Sequence, residues 1–147
     1  FILLPEVNYV NTPYDNIQWA AVLKSASALE MYRIEHQRIE PETVAGFLIL
    51  HKQFPLAMRY CVDRAEQALH SGTGTPEGAF NNSAERLLGR LSAELDYADM
   101  REIKEGGLHE FLDAFQLKLN DIGMALQETF FDLRTPGSKS TFQEQYQ

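Results

Sequence analysis

Several arginines stand in a pattern that suits the binding of an anion. The set comprises Arg59, Arg64, Arg86, Arg90 and Glu94. A guanidinium group binds a carboxylate through two parallel hydrogen bonds, so such a set suits a peptide terminus or an acidic amino acid. The alternative is a group of helical ion pairs, Arg90 with Glu94 and Arg59 with Asp63, which contribute roughly 0.3 to 0.5 kcal/mol each. Both interpretations remain open at this point.

A second candidate is the pair His109 and Asp113. The two residues stand four apart in a helical stretch, so their side chains share one face and could hold a metal ion or pass a proton. A metal site needs at least a third protein ligand, and none has a suitable spacing. We therefore expect a solvated helix pair, no metal and no cofactor.

The nucleophilic residues lack activating neighbours. Cys61 lies on the apolar stripe of its predicted helix, where a thiol usually packs as a small hydrophobic group. Ser25 and Ser27 stand among alanines with no histidine nearby. The run Gly72-Thr73-Gly74 has neither the preceding strand nor the Lys-Ser/Thr ending of a phosphate loop, so it is interpreted as a connector. We expect no catalysis by this chain alone.

The composition and net charge of the chain argue against some classes of binding partner. Of the 147 residues, 44% are hydrophobic and 23% are charged, which suits one globular domain with a core. The net charge of -8 would repel phosphate backbones and anionic lipids, so neither nucleic acid nor a membrane surface is an expected partner. A single cysteine and the lack of any apolar run of about 18 residues favour a cytoplasmic protein.

Apolar residues recur at spacings of three and four, which predicts an all-α fold. A first long helix is expected from Asp15 to about His36, and a short buried one begins at Pro41. A third helix is opened by Pro55, and the loop Ser71–Asn81 follows it.

The second half of the chain adds three predicted helices. Asn82 and Glu85 form a capping box for one helix, in which Gly89 would admit a close neighbour. A short segment after Asp99 ends at paired glycines, and the last helix runs from Leu108. The expected architecture is an antiparallel bundle of about four long helices plus one or two short ones. It spans residues 15–133, between an irregular lead, 1–14, and a flexible tail, 134–147.

This bundle is not expected to bury all its apolar surface. The helix that begins at Pro41 is apolar nearly all round. The last helix carries further apolar residues away from its main stripe, namely Ala114, Leu117, Met124 and Ala125. Both helices would need neighbours on more than one side, supplied by a preceding helical part or by a second copy in a homo-oligomer.

Five ordered blocks resemble one known family. They are Gln18-Trp19, Phe54–Cys61, Ala84–Leu91, Gly107–Asp113 and Leu119–Gly123. In this order and across nearly the whole chain, they resemble the C-terminal half of the bacterial Alpha-E domain. The resemblance implies that the Glu-Arg motif for which the family is named lies in a preceding helical part.

The resemblance also implies an association with particular classes of protein. Alpha-E domains occur fused to, or encoded beside, circularly permuted ATP-grasp proteins and transglutaminase-like proteins, which points to peptide or amide metabolism. The expected function is that of a helical partner module, which binds an ATP-grasp ligase or an anionic peptide ligand. The alternative is half of an enzyme active site that the preceding helical part completes.

Overall fold

Seven α-helices run through the residues that the computed structural model describes, 13–76 and 78–131, and these residues form no strand. In chain order they are α1 Pro13–Ser25, α2 Leu29–Glu35, α3 Pro41–Leu50, α4 Met58–Thr73, α5 Ser83–Tyr97, α6 Met100–Gly106 and α7 Leu108–Leu126, and a π-helical turn, Gln127–Phe131, follows. The predicted all-α bundle is confirmed. Apart from Pro13 and Tyr14, the predicted lead and tail lie outside the described residues.

The single long helix predicted from Asp15 to His36 is wrong, because the chain breaks between α1 and α2. Ser27 adopts the left-handed conformation, with φ of 53°. Its N–H donates to the carbonyl of Lys24 at 2.9 Å, and the N–H of Ala28 donates to that of Leu23 at 2.8 Å. These two bonds form a Schellman motif, which ends a helix and satisfies its last carbonyls. Leu23 before the break and Ala28 after it are both fully buried. The apolar pattern of the sequence therefore continues across the break and does not reveal it.

The short helix α3 is the centre of the first of two core clusters. Pro41 occupies its first turn, as predicted. Its buried residues are Val44, Ala45, Phe47, Leu48 and Ile49. The expectation that α3 needs an outside neighbour is wrong. Helices α1, α4 and α6 all contact it, and α2 contributes Leu29 and Tyr32 to the same cluster.

The second core cluster joins α4, α5 and α7. Its buried members are Val62, Leu88, Leu91, Leu95 and Ile122. Leu50 and Phe111 are partly buried and pack against both clusters. The two clusters therefore meet through these two side chains, which lie at the end of α3 and near the start of α7.

The boundaries of α4 differ from the prediction at both ends. Pro55 lies in a turn before the helix, closed by a hydrogen bond of 2.9 Å from the N–H of Ala57 to the carbonyl of Phe54. At the other end α4 continues through Thr73 into the predicted loop, and it ends at Gly74, whose φ is 70°. The loop therefore begins three residues later than predicted.

The predicted cap and the close approach in α5 are confirmed, but the capping box is not complete, because the Glu85 carboxylate accepts from the N–H of Asn81. The side chain of Asn82 accepts a hydrogen bond of 2.8 Å from the N–H of Glu85 and caps the helix. Gly89 does admit a close neighbour, because a Cβ atom there would lie 2.9 Å from the Cζ atom of Phe80 and 3.1 Å from the Glu66 carboxylate.

Helix α7 leaves much of its apolar surface exposed, as expected for Ala114, Leu117 and Met124, whereas the same expectation for Ala125 is wrong because Ala125 is buried. Only Ile122 and Ala125 are buried, whereas Leu117 is 65% exposed and Met124 is 58% exposed. Within the described part of the chain, no helix is both long enough and apolar enough to cross a membrane.

The two left-handed helix ends give a paired prediction on stability. Replacing Ser27 by Gly should raise the free energy of unfolding by about 1 kcal/mol, because glycine adopts this conformation without the clash of a Cβ atom. Gly74→Ala should lower it by about 1 kcal/mol, although a Cβ atom there would have no neighbour within 4 Å. Urea unfolding followed by circular dichroism measures both changes. A destabilised Ser27→Gly variant would contradict the assignment of the break.

Candidate functional site

The candidate arginines lie on α4 and α5, which pack side by side in opposite directions. The hydroxyl of Ser92 donates to the carboxylate of Asp63 at 3.0 Å, and the carboxylate of Glu66 approaches Gly89. Glu66 follows Asp63 on α4, whereas Gly89 precedes Ser92 on α5, so the two helices are antiparallel. The short loop between the two helices permits this arrangement.

Arg59 is already neutralised within the chain. Its guanidinium group pairs with the carboxylate of Asp96 at the far end of α5, and its side chain is only 12% exposed. The expected pair of Arg59 with Asp63 is wrong, since Asp63 accepts from Ser92 instead. Arg59 thus joins two helices and does not offer a free cation.

Arg64 belongs to the outer face of α4. Its guanidinium group donates to the side-chain oxygen of Gln67 at 2.9 Å and lies 5.1 Å from the ring centre of Tyr60. Both partners stand on the same helix, so these contacts hold the side chain along α4. None of them brings Arg64 to the arginines of α5.

Arg86 and Arg90 are exposed, one turn apart on α5, and make no hydrogen bond, ion pair or ring contact with the described residues. The expected pair of Arg90 with Glu94 is wrong, because Glu94 pairs with Lys118 of α7. Arg86 stands ten positions before Asp96, the partner of Arg59, which corresponds to about 15 Å along a helix. The five candidates therefore divide into one free pair on α5 and three residues engaged elsewhere.

His109 and Asp113 form the surface pair that their spacing predicts. The distance from Nε2 to the carboxylate is 3.3 Å, and the side chains are 59% and 62% exposed. Among the residues that the structure describes, no group of three His, Cys, Asp or Glu side chains could hold a metal ion. At such exposure the pair contributes little to stability.

Cys61 does not pack in the core, and its placement on the apolar stripe is wrong. The side chain is exposed, and its thiol donates to the carbonyl of Pro55 at 3.4 Å. The hydroxyl of Ser25 donates to the carbonyl of Val22 within α1, at 2.8 Å. Gly72 and Thr73 form the end of α4, so the run from Gly72 to Gly74 ends a helix and makes no phosphate loop.

Sequence reasoning missed a pair that ties α2 to the end of α3. Nδ1 of His51 accepts from the backbone N–H groups of Gln53 at 3.1 Å and of Phe54 at 2.8 Å. The ring proton must then lie on Nε2, which donates to the carboxylate of Glu35 at 3.0 Å. Because both ring nitrogens have partners, His51 positions the turn before α4. His51 also lines an open groove of about 600 Å³, together with His36, Phe47 and Met100.

A buried carboxylate, Glu85, was predicted only as part of a helix cap. Its side chain is fully buried. One oxygen accepts from the Thr75 hydroxyl at 2.9 Å, and the other accepts from the backbone N–H of Asn81 at 2.7 Å. The Thr75 hydroxyl also accepts from the Asn81 amide and lies 3.0 Å from the Thr73 hydroxyl. The network thus fixes the loop between α4 and α5.

These contacts favour the ionised form of Glu85. Hydrogen bonding with the Thr73 side chain, then with the Asn81 backbone and the Thr75 and Asn82 side chains, lowers its pKa from the ordinary value of 4.5 to about 2. Burial acts in the opposite direction and is outweighed. The network therefore stabilises the negative charge of the Glu85 carboxylate.

The lowered pKa gives a prediction on acid stability. Above pH 4.5 the carboxylate is ionised in both the folded and the unfolded chain, and its full contribution to stability is present. As pH falls from 4.5 to about 2, the unfolded chain takes up the proton first, so this contribution is lost. The difference in free energy of unfolding between the unmodified chain and Glu85→Gln should therefore be constant above pH 5 and shrink through this window.

Urea titrations at several pH values measure this difference. The matched control is Glu30→Gln, which removes an exposed carboxylate that makes no hydrogen bond or ion pair with the described residues. A gap between Glu85→Gln and the unmodified chain that does not change down to pH 2 would rule out the assigned role of the network.

Comparison with known proteins gave one result. Neither the curated proteins nor the solved structures compared with the chain gave a match. A family model does match; it describes a predicted alpha-helical domain with a conserved ER motif. The chain has a single adjacent Glu-Arg pair, Glu85-Arg86, and the placement of the family's motif in a preceding helical part stays a prediction. Because the match spans residues 2–131 of the 147-residue chain, the protein belongs to the Alpha-E family of helical domains.

Proposed function

We propose that this chain is a helical partner module of an ATP-grasp-type system that forms peptide or amide bonds. In this role it binds the ligase or an anionic peptide ligand and orients it. The family resemblance supports the kind of partner, through the ATP-grasp and transglutaminase-like proteins that accompany Alpha-E domains. We further propose that the chain corresponds to the C-terminal half of the family domain.

The observation that carries the proposal is the free arginine pair on α5. Arg86 and Arg90 stand one turn apart, both exposed and both without a partner among the described residues. The core cluster holds α5 against α4 and α7, so the backbone that presents the two side chains is fixed. Two neighbouring guanidinium groups on a rigid helix suit a carboxylate or a phosphate group.

A binding role fits the arrangement better than a reaction carried out by these residues alone. An arginine stays protonated and therefore acts as a fixed positive charge, not as a base. Positioning a ligand accelerates a reaction when a second component brings an activated group. An ATP-grasp ligase supplies such a group when it converts a carboxylate into an acyl phosphate.

Substitution of the arginine pair tests the proposal. The double variant Arg86→Ala/Arg90→Ala should weaken co-elution with an ATP-grasp protein of the kind that accompanies Alpha-E domains, and should reduce nucleotide turnover with amino-acid substrates about tenfold or more. A charge-assisted hydrogen bond contributes roughly 1.5 to 3 kcal/mol, which corresponds to a loss of about tenfold or more for each arginine removed. Helical content should be unchanged, because both side chains are exposed.

The matched control is Arg101→Ala, which removes an exposed arginine on α6 whose side chain makes no hydrogen bond, ion pair or ring contact with the described residues. Unchanged coupled activity after both α5 arginines are removed would refute the proposal. Turnover of a peptide by this chain without the ligase would also refute it. Turnover that appears only when a preceding helical part is added would favour the alternative, in which the chain supplies half of an enzyme active site.

A further inference from the structure

The outward face of α7 carries a continuous row of exposed side chains. The row, which we call the acidic seam, consists of Glu110, Asp113, Leu117, Asp121, Met124 and Glu128. Successive members are three or four residues apart, so they lie on one side of the helix. Glu128 follows in the π-helical turn that continues α7.

This seam faces away from the core. Ile122, which is buried in the core cluster shared with α4 and α5, lies on the opposite side of the helix. Ala125, the other buried residue of α7, stands four residues after Asp121 and therefore lies at the border of the seam. Leu117 and Met124 stand seven residues apart and are 65% and 58% exposed. A spacing of seven is the repeat with which one helix contacts another along its length. The apolar part of the seam therefore suits a helical partner.

The charge of the seam defines the chemistry of that partner. Four of its six residues are carboxylates. The lysine of α7, Lys118, is turned towards α5 and pairs there with Glu94. His109 pairs with Asp113 at the start of the helix, where both side chains remain exposed. A partner that buries Leu117 and Met124 must therefore bring positive charge beside them.

We propose that the acidic seam is the docking surface for a basic amphipathic helix of a partner protein. Its apolar residues would lie against Leu117 and Met124, and its Lys or Arg side chains would pair with the flanking carboxylates. A second copy of this chain is a poorer occupant, because each copy carries a net charge of -8. This surface lies on a different helix from Arg86 and Arg90, so the inference is independent of the proposed function.

Three synthetic 18-residue peptides test the inference against the full chain. The first is a helix with leucines at heptad spacing and lysines elsewhere, the second contains the same residues in scrambled order, and the third replaces every lysine by glutamate. Fluorescence anisotropy at 150 mM salt measures binding. We expect the first peptide to bind at least tenfold more tightly than the scrambled peptide, and the glutamate peptide not to bind.

Matched variants locate the site. Leu117→Ser/Met124→Ser should weaken binding of the leucine-lysine peptide about tenfold, while Ile17→Ser/Ile34→Ser should change it less than twofold. The control residues are 67% and 84% exposed and lie on α1 and α2. Asp121→Asn/Glu128→Gln should also weaken binding, more than Glu30→Gln/Glu105→Gln, which removes two exposed carboxylates elsewhere.

Three outcomes would overturn the inference. Equal binding of the ordered and scrambled peptides would mean that net charge alone attracts them. Equal losses in the seam variants and in their controls would place the binding elsewhere. Self-association of the chain that Leu117→Ser/Met124→Ser abolishes, measured by analytical ultracentrifugation, would assign the seam to a second copy.

Discussion

The buried carboxylate of Glu85 fixes the loop that joins α4 to α5, and α7 packs against the helix pair that this loop holds together. One of its oxygens binds the loop at Thr75 and the other binds it at Asn81, while its own backbone lies in the first turn of α5. An ionised carboxylate in the core is stable only when its hydrogen bonds are satisfied. A shift of the loop would therefore leave a buried charge that lacks hydrogen-bond donors.

At the opposite end of the same helix pair, Arg59 and Asp96 form a second fixed point. With both ends held, α5 presents one side to α4, another to α7 and a third to solvent. The pair of Glu94 with Lys118 then aligns α7 along α5. This arrangement explains why Arg86 and Arg90 share a solvent face although nothing within the described chain neutralises them. It also turns the carboxylates of α7 away from the core.

Local patterns in the sequence were enough to predict what depends on local physics. The helix cap at Asn82, the burial of α3 and the close approach at Gly89 each follow from a few neighbouring residues. The break at Ser27 was missed because the usual sign of a left-handed helix end is a glycine, and serine gives no such sign.

The side-chain pairs were predicted less well, because the partners are distant in sequence. Arg59 and Glu94 each have an oppositely charged residue four positions away, yet both bind residues on another helix. Pairs at a spacing of four contribute only a few tenths of a kcal/mol, so packing between helices decides which ones form. Cys61 shows the same limitation. Helical spacing predicts which residues of α4 form an apolar stripe, but it does not predict which edge of that stripe another helix covers.

The division of the core into two clusters has a consequence for the dynamics of the domain. Leu50 and Phe111 pack against both clusters, and the other apolar contacts of α4 and α7 with the first cluster come from Met58, Tyr60 and Leu108, so the coupling between the two halves is concentrated at the starts of α4 and α7. Weakly coupled regions of a protein open separately as cooperative units. The half formed by α1, α2 and α3 can then exchange its amide hydrogens while α4, α5 and α7 stay closed. The helices that carry the arginine pair and the acidic seam would keep their geometry during such openings.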